Sequence, residues 1–166
     1  MAIRQVLAAR TRELAARYSD DAVEGSPHVY KDLPGALVRR LHQTVASTLI
    51  RQFEAMGSDL TPVQYSVLSG VYTHPSIEQG ALADVIRYDR ATVGGVVDRL
   101  EKKELLQRGL SAHDRRVRVL TLSAAGKALI KKLEPAILGA QEEILAPLDE
   151  LEREQFRRLL AKLVPS

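Results

Sequence analysis

The sequence predicts a mainly α-helical chain carrying one small β-hairpin, an α+β class. Apolar residues recur at helical spacing through most of its length, and Thr, Ser, Asp or Pro stand where those runs begin. A single segment, Leu106 to Leu122, instead alternates apolar and polar residues around a polar centre.

Taken in order, Ile3, Val6, Leu7 and Leu14 give a short N-terminal helix, and the Asp, Gly, Ser and Pro between Ser19 and Pro27 give a linker. Leu37, Leu41, Val45, Leu49 and Phe53 line one face of a long helix opened by Pro34 and closed by Gly57. Thr61-Pro62 reads as N-cap and first residue of a second helix that buries Val63, Val67, Leu68 and Val71 and ends before His74-Pro75. Ser76 is expected to cap a third helix, with Ala81, Leu82, Val85 and Ile86 inward. Asp89 is expected to cap a fourth, Arg90 to Lys103, whose stripe is Val93, Val96, Val97 and Leu100.

Leu106 to Leu110 and Val117 to Leu122 then read as two strands around the turn-like Ala112-His113-Asp114. Ser123 is placed to cap a long fifth helix, interrupted near Pro147, and a sixth begins near Asp149 with Leu151, Phe156, Leu159, Leu160 and Leu163. Three short helices followed by a hairpin make a winged helix-turn-helix. The long helices on either side have apolar faces too large for one small lobe to cover, so they are expected to pack against a second copy. The division is residues 1–32 as N-terminal helix and linker, 33–57 as first dimerisation helix, 58–123 as winged lobe, and 124–166 as C-terminal dimerisation helices.

Charge narrows the partner. The net charge is only +3, yet residues 89–118 hold eight Lys/Arg against five Asp/Glu, while residues 134–154 hold seven acids and one Arg. The basic segment suits a polyanion. With no cysteine there is no disulfide framework and no thiolate metal site, and no apolar run is long enough to cross a membrane, so a cytoplasmic location without a membrane partner is expected. The four histidines, His28, His42, His74 and His113, have no metal-ligand spacing, and neither a Gly-rich phosphate loop nor a nucleophile elbow is present. No catalytic residue, metal or cofactor is therefore expected.

Certain motifs are more specific. Asp89-Arg90-Ala91-Thr92-Val93, then Asp98-Arg99-Leu100-Glu101 with Leu105-Leu106, then Asp114, Arg116, Leu122-Ser123 and Gly126, follow Leu60-Thr61-Pro62-Val63-Gln64-Tyr65 in this order. In that order and spacing they resemble the MarR family of bacterial transcription regulators, over about residues 33–166. The resemblance implies a homodimer with intertwined terminal helices whose two winged lobes read a palindromic operator in double-stranded DNA. It further implies a repressor of a catabolic or efflux operon, released by a small effector. The alternative is a winged-helix protein-interaction module without specific DNA binding.

Residue roles follow from both lines. Arg90, Thr92 and Gly95 lie where the fourth helix would meet a groove or phosphate, and Arg99 further along meets phosphate or its own helix. Asp114 is placed to brace Arg116 and free Arg115 for the minor groove, while Arg108 and Arg118 on the strands are candidates for flanking phosphates. Gly94-Gly95 departs from the family pattern at about 1 kcal/mol of helix propensity each. It has two readings, a helix-to-core contact or close approach of backbone to DNA.

Pro34-Gly35-x-Leu37-x-Arg39-Arg40-Leu41 is similar to family members that sense aromatic acids, in which the first Arg grips the ligand carboxylate. The resemblance thus implies an aromatic carboxylate or its coenzyme A thioester, held by Arg39 with a planar fork, with His42, Tyr65 and Tyr72 lining the same cleft and His28 and Tyr30 covering it.

Overall fold

A computed structural model describes residues 31–111 and 117–164. The chain forms two compact units, residues 1–45 and 46–166. Of the N-terminal helix and linker expected over residues 1–32, residues 1–30 lie outside the described residues, as does the tip of the hairpin at Ala112 to Arg116.

In the first unit the described secondary structure is the opening of α1 (Pro34–Ala55). Leu33 lends its carbonyl to the amides of Ala36 and Leu37, so Pro34, which has no N–H to lose, opens the helix without cost. From Pro34 to Arg40 only Ala36 is withdrawn from solvent, and Leu37 and Val38 are about half exposed.

The second unit holds the rest: the end of α1, α2 (Pro62–Thr73), β1 (Ile77–Glu78), α3 (Gln79–Ile86), α4 (Arg90–Lys102), β2 (Leu106–Leu110), β3 (Arg118–Leu122), α5 (Ala124–Leu145) and α6 (Glu150–Leu163). Polar caps set the starts of four helices. Thr61 forms a capping box with Gln64, Asp89 accepts from the Thr92 amide, Ser123 from Gly126, and Asp149 forms a second box with Glu152. The core joins Phe53 of α1, Val67, Leu68 and Val71 of α2, Leu82 of α3, the Val93-Val96-Val97-Leu100 stripe of α4, Leu106 and Leu120 of the strands, and Leu133 of α5.

Two expectations are corrected at the α2–α3 junction. Ser76 does not cap α3; it sits at φ 65, and the N-cap is Glu78, without a side-chain hydrogen bond. The reason is a short strand: Ile77 and Glu78 pair antiparallel with Leu120 and Val119, giving a sheet of order β1-β3-β2. The inward set of α3 also differs. Leu82 and Ala83 are buried and Ile86 partly so, whereas Ala81 and Val85 face solvent. Leu82 and Ile86 turn inward because Gly70 lets α2 and α3 approach closely; a Cβ there would lie 2.6 Å from Leu82 Cδ1.

The hairpin register is Leu106↔Leu122 through Leu110↔Arg118. Gly126 anchors its base. A Cβ at this position would stand 2.1 Å from the Leu105 carbonyl oxygen, so α5 lies against the turn that leads into β2. Ser123 fixes the same joint, donating its hydroxyl to the Glu104 carbonyl at 2.7 Å and its amide to the Leu105 carbonyl. α5 runs unbroken through Pro135 and ends two residues before Pro147. α6 has no buried residue.

Candidate nucleic-acid interface

The start of α4 is a capped and exposed surface of the second unit. Asp89 accepts hydrogen bonds from both the Thr92 hydroxyl, at 2.5 Å, and the Thr92 amide, at 2.8 Å. These two bonds, the hydroxyl first, hold the Asp89 carboxyl below its ordinary range. The Thr92 hydroxyl hydrogen is thus committed to the cap, which leaves its oxygen as an acceptor. Arg90 beside it reaches Asp84 at 3.5 Å, but both side chains are more than two-thirds exposed, so water competes for the guanidinium.

Further along, the outward face is nearly bare. An added Cβ at Gly94 would meet only the Gln79 amide at 3.5 Å, and one at Gly95 only the Arg99 guanidinium at 4.0 Å. No core contact requires either glycine, which removes the helix-to-core reading. Arg99 is exposed and has no ion-pair partner among the described residues, although the acids Asp98 and Glu101 are its close neighbours in sequence. Arg118, at the start of β3, is likewise exposed and unpaired among the described residues.

Arg108 has a different place from the one expected. Its side chain is only 18% exposed, and its guanidinium binds Asp98 and Glu101, each at 2.5 Å. Its Nε reaches Gln79 Oε1 at 3.4 Å, and its own amide donates to Glu101. Burial alone would lower its pKa; the bonds to Asp98 and Glu101 outweigh that and raise it. Arg108 of β2 is therefore occupied by α4 and α3, with little left over for a phosphate. The signal available in the sequence was the i,i+3 pair of acids, Asp98 and Glu101, on one side of α4, where a cation opposite relieves their repulsion. Asp114, Arg115 and Arg116 lie outside the described residues.

α2, α3 and α4 form a helix-turn-helix unit, and β2 and β3 form a two-stranded wing on a sheet that β1, between α2 and α3, completes. Residues 60–117 match the MarR family. A probable transcriptional regulator from Pseudomonas aeruginosa has a solved structure that is 33% identical, covering 81% of this chain and 98% of its own, with a TM-score of 0.76. This chain belongs to the MarR family. The HTH-type transcriptional repressor NicR of Pseudomonas putida is 29% identical over 89% of this chain and 92% of its own length. A third relative, BpsR of Bordetella bronchiseptica, is 28% identical over 78% of this chain and 96% of its own, with a TM-score of 0.69; its structure concerns regulation of its DNA binding by 6-hydroxynicotinic acid. MarR membership makes this protein a winged-helix transcription regulator and not an enzyme.

The effector residues expected from the family fall in different units. Arg39 and His42 are exposed on α1 in the first. Tyr65 and Tyr72 belong to the second, Tyr65 partly buried with its ring 5.4 Å from that of Phe53, and Tyr72 42% exposed. Burial pushes the Tyr65 phenol above its ordinary value, and the charge of Glu134 adds to the rise. His28 and Tyr30 lie outside the described residues. No helix among the described residues is long and apolar enough to cross a membrane.

Proposed function

We propose that this MarR-family regulator is a homodimeric repressor of a catabolic or efflux operon, that it binds a palindromic operator, and that a small aromatic carboxylate or its coenzyme A thioester releases it. The observation that carries the DNA contact is the start of α4: a capped helix whose first turn presents the exposed Arg90 and Thr92, followed by the half-buried Gly94-Gly95, whose backbone no side chain of its own shields. In the dimer the two α4 helices stand about one turn of B-DNA apart, roughly 34 Å, and enter successive major grooves. Arg99 and Arg118 neutralise flanking phosphates, Arg115 enters the minor groove, and Asp114 braces Arg116 at the tip. Arg108 acts indirectly, by holding the wing to α4.

The effector part rests on two supports. The structure of BpsR, a relative over most of this chain, concerns regulation of its DNA binding by 6-hydroxynicotinic acid. Arg39 is an exposed guanidinium, and its flat fork matches a carboxylate. His42 lies one helical turn away on the same α1. Tyr65, Tyr72, His28 and Tyr30 are the further residues assigned to the effector. Ligand there favours a lobe spacing that no longer fits the operator, and affinity falls by a coupling of about 1–3 kcal/mol.

A gel-shift titration on the chain's own promoter region across salt concentrations tests this reading. Each phosphate neutralised contributes about −0.9 to the slope of log K against log salt, so a steep negative slope is expected. A slope near zero would sink DNA binding in favour of the protein-interaction alternative. Unchanged operator affinity in Arg115→Ala would remove the minor-groove role, and full ligand-induced release in Arg39→Ala would remove the carboxylate role.

A further inference from the structure

The four acids between Gln79 and Lys102 are Asp84, Asp89, Asp98 and Glu101. Three of them are taken up by the fold. Asp89 spends one carboxylate oxygen on the Thr92 amide and the other on the Thr92 hydroxyl. Asp98 and Glu101 both hold Arg108. Asp84 caps nothing and is exposed; its ion-pair partner is the equally exposed Arg90, at 3.5 Å.

The place of Asp84 is otherwise an unfavourable one. It stands in the last turn of α3, where the negative end of the helix dipole repels a carboxylate. An exposed ion pair in water offsets little of that. The backbone between the two residues is nevertheless closely tied. The amides of Arg87 and Tyr88 both close on the Ala83 carbonyl, Arg87 sits in the left-handed region at φ 58, and Asp89 then caps α4. Asp84 and Arg90 therefore face each other from the two sides of a turn fixed at both ends.

An arginine carries five N–H donors in one plane. Asp84 approaches Nη2 alone, which leaves Nη1–H and the second Nη2–H pointing away as a fork. That fork matches N7 and O6 of guanine in the major groove, and no other base edge presents two acceptors there. Where the groove excludes water, the effective dielectric falls and the pair that was weak in solvent strengthens. We infer that Asp84 is a specificity-determining residue, bracing Arg90 from behind so that Arg90 reads one guanine in each half-site. The inference rests on the proposed entry of α4 into the major groove.

Selection from a randomised duplex library, followed by fluorescence anisotropy on the selected duplex and on versions changed at single base pairs, tests it. Wild type is expected to select one guanine per half-site at a position where Arg90→Ala shows no base preference. Asp84→Asn keeps the shape of the side chain without its charge. It is expected to prefer guanine at that position about tenfold less than wild type, within what one bidentate pair contributes. On a scrambled duplex it is expected to bind at least as tightly as wild type, because a carboxylate has left a surface that meets phosphates. Asp84 makes no cap and no buried contact, so an unchanged circular dichroism melt is expected. The brace is overturned if Asp84→Asn keeps the full guanine preference and merely binds every duplex more tightly, as removal of a simple surface charge would do. It is equally overturned if Arg90→Ala still prefers guanine at that position. A wild type that selects no sequence would overturn the entry of α4 into the groove as well, which distinguishes the two failures.

Discussion

Gly94 and Gly95 are where one residue type decides most. Glycine inside a helix costs about 0.8–1 kcal/mol relative to alanine, and here neither position returns that cost through packing, because an added Cβ would meet only the ends of two long side chains. Glycines that the fold does not need are best explained by what approaches them from outside. If the α4 backbone lies against DNA, alanine at both positions stabilises the free protein while holding the helix off the groove by a methyl group. The double variant Gly94→Ala/Gly95→Ala is expected to melt several degrees higher, at about 1 kcal/mol per substitution, and to bind operator about tenfold more weakly. Calorimetry and fluorescence anisotropy measure the two effects separately. A double variant that is more stable and binds undiminished would show that the bare face has no role in recognition. The sequence displayed the glycine pair but not its cause, since a glycine packed on a core and a glycine facing a groove are the same letter until the neighbours are placed.

Among the elements, those with their own punctuation were legible and those created by distant partners were not. Thr61, Asp89, Ser123 and Asp149 each mark a helix start because capping is a matter of three or four consecutive residues. β1 was hidden because two residues cannot show a period; Ile77 and Glu78 become a strand only because Leu120 and Val119 lie beside them. The facing of α3 was misread for a related reason, since eight residues give barely two turns and the close approach at Gly70 sets their rotation. Arg108 belongs to this scale as well, tying β2 to α4 through Asp98 and Glu101 and to α3 through Gln79. Removing it leaves two carboxylates facing each other without a cation, and the wing loses its fixed angle to the recognition helix. Arg108→Met is therefore expected to weaken operator binding while leaving the slope of log K against log salt unchanged within error. A direct phosphate contact would lower that slope by about one unit, which is the outcome that would return Arg108 to the DNA surface.

For the whole molecule, the telling surface is the one a single chain leaves open. α6 buries no residue, yet Leu151, Leu159 and Leu163 are 83%, 48% and 74% exposed within a broad stripe of the helix. Each buried CH₂ group is worth about 0.8 kcal/mol, so an amphipathic helix with its apolar stripe in water is incomplete until something covers it. A second copy is the simplest cover, because a two-fold interface presents the same stripe twice, and because reading a palindrome requires two lobes held at fixed separation. Sedimentation equilibrium is expected to give twice the 18.3 kDa chain mass at micromolar concentration. Leu151→Glu/Leu159→Glu is expected to shift that equilibrium to the monomer while leaving the winged lobe folded, since neither leucine belongs to the core. Losing the linkage between lobes removes an avidity of about 10²–10⁴, so operator affinity falls by that order although no DNA-facing residue has changed. A wild-type monomer with full operator affinity would refute the dimer, and an unchanged dimer in the double variant would place the interface on a surface other than α6.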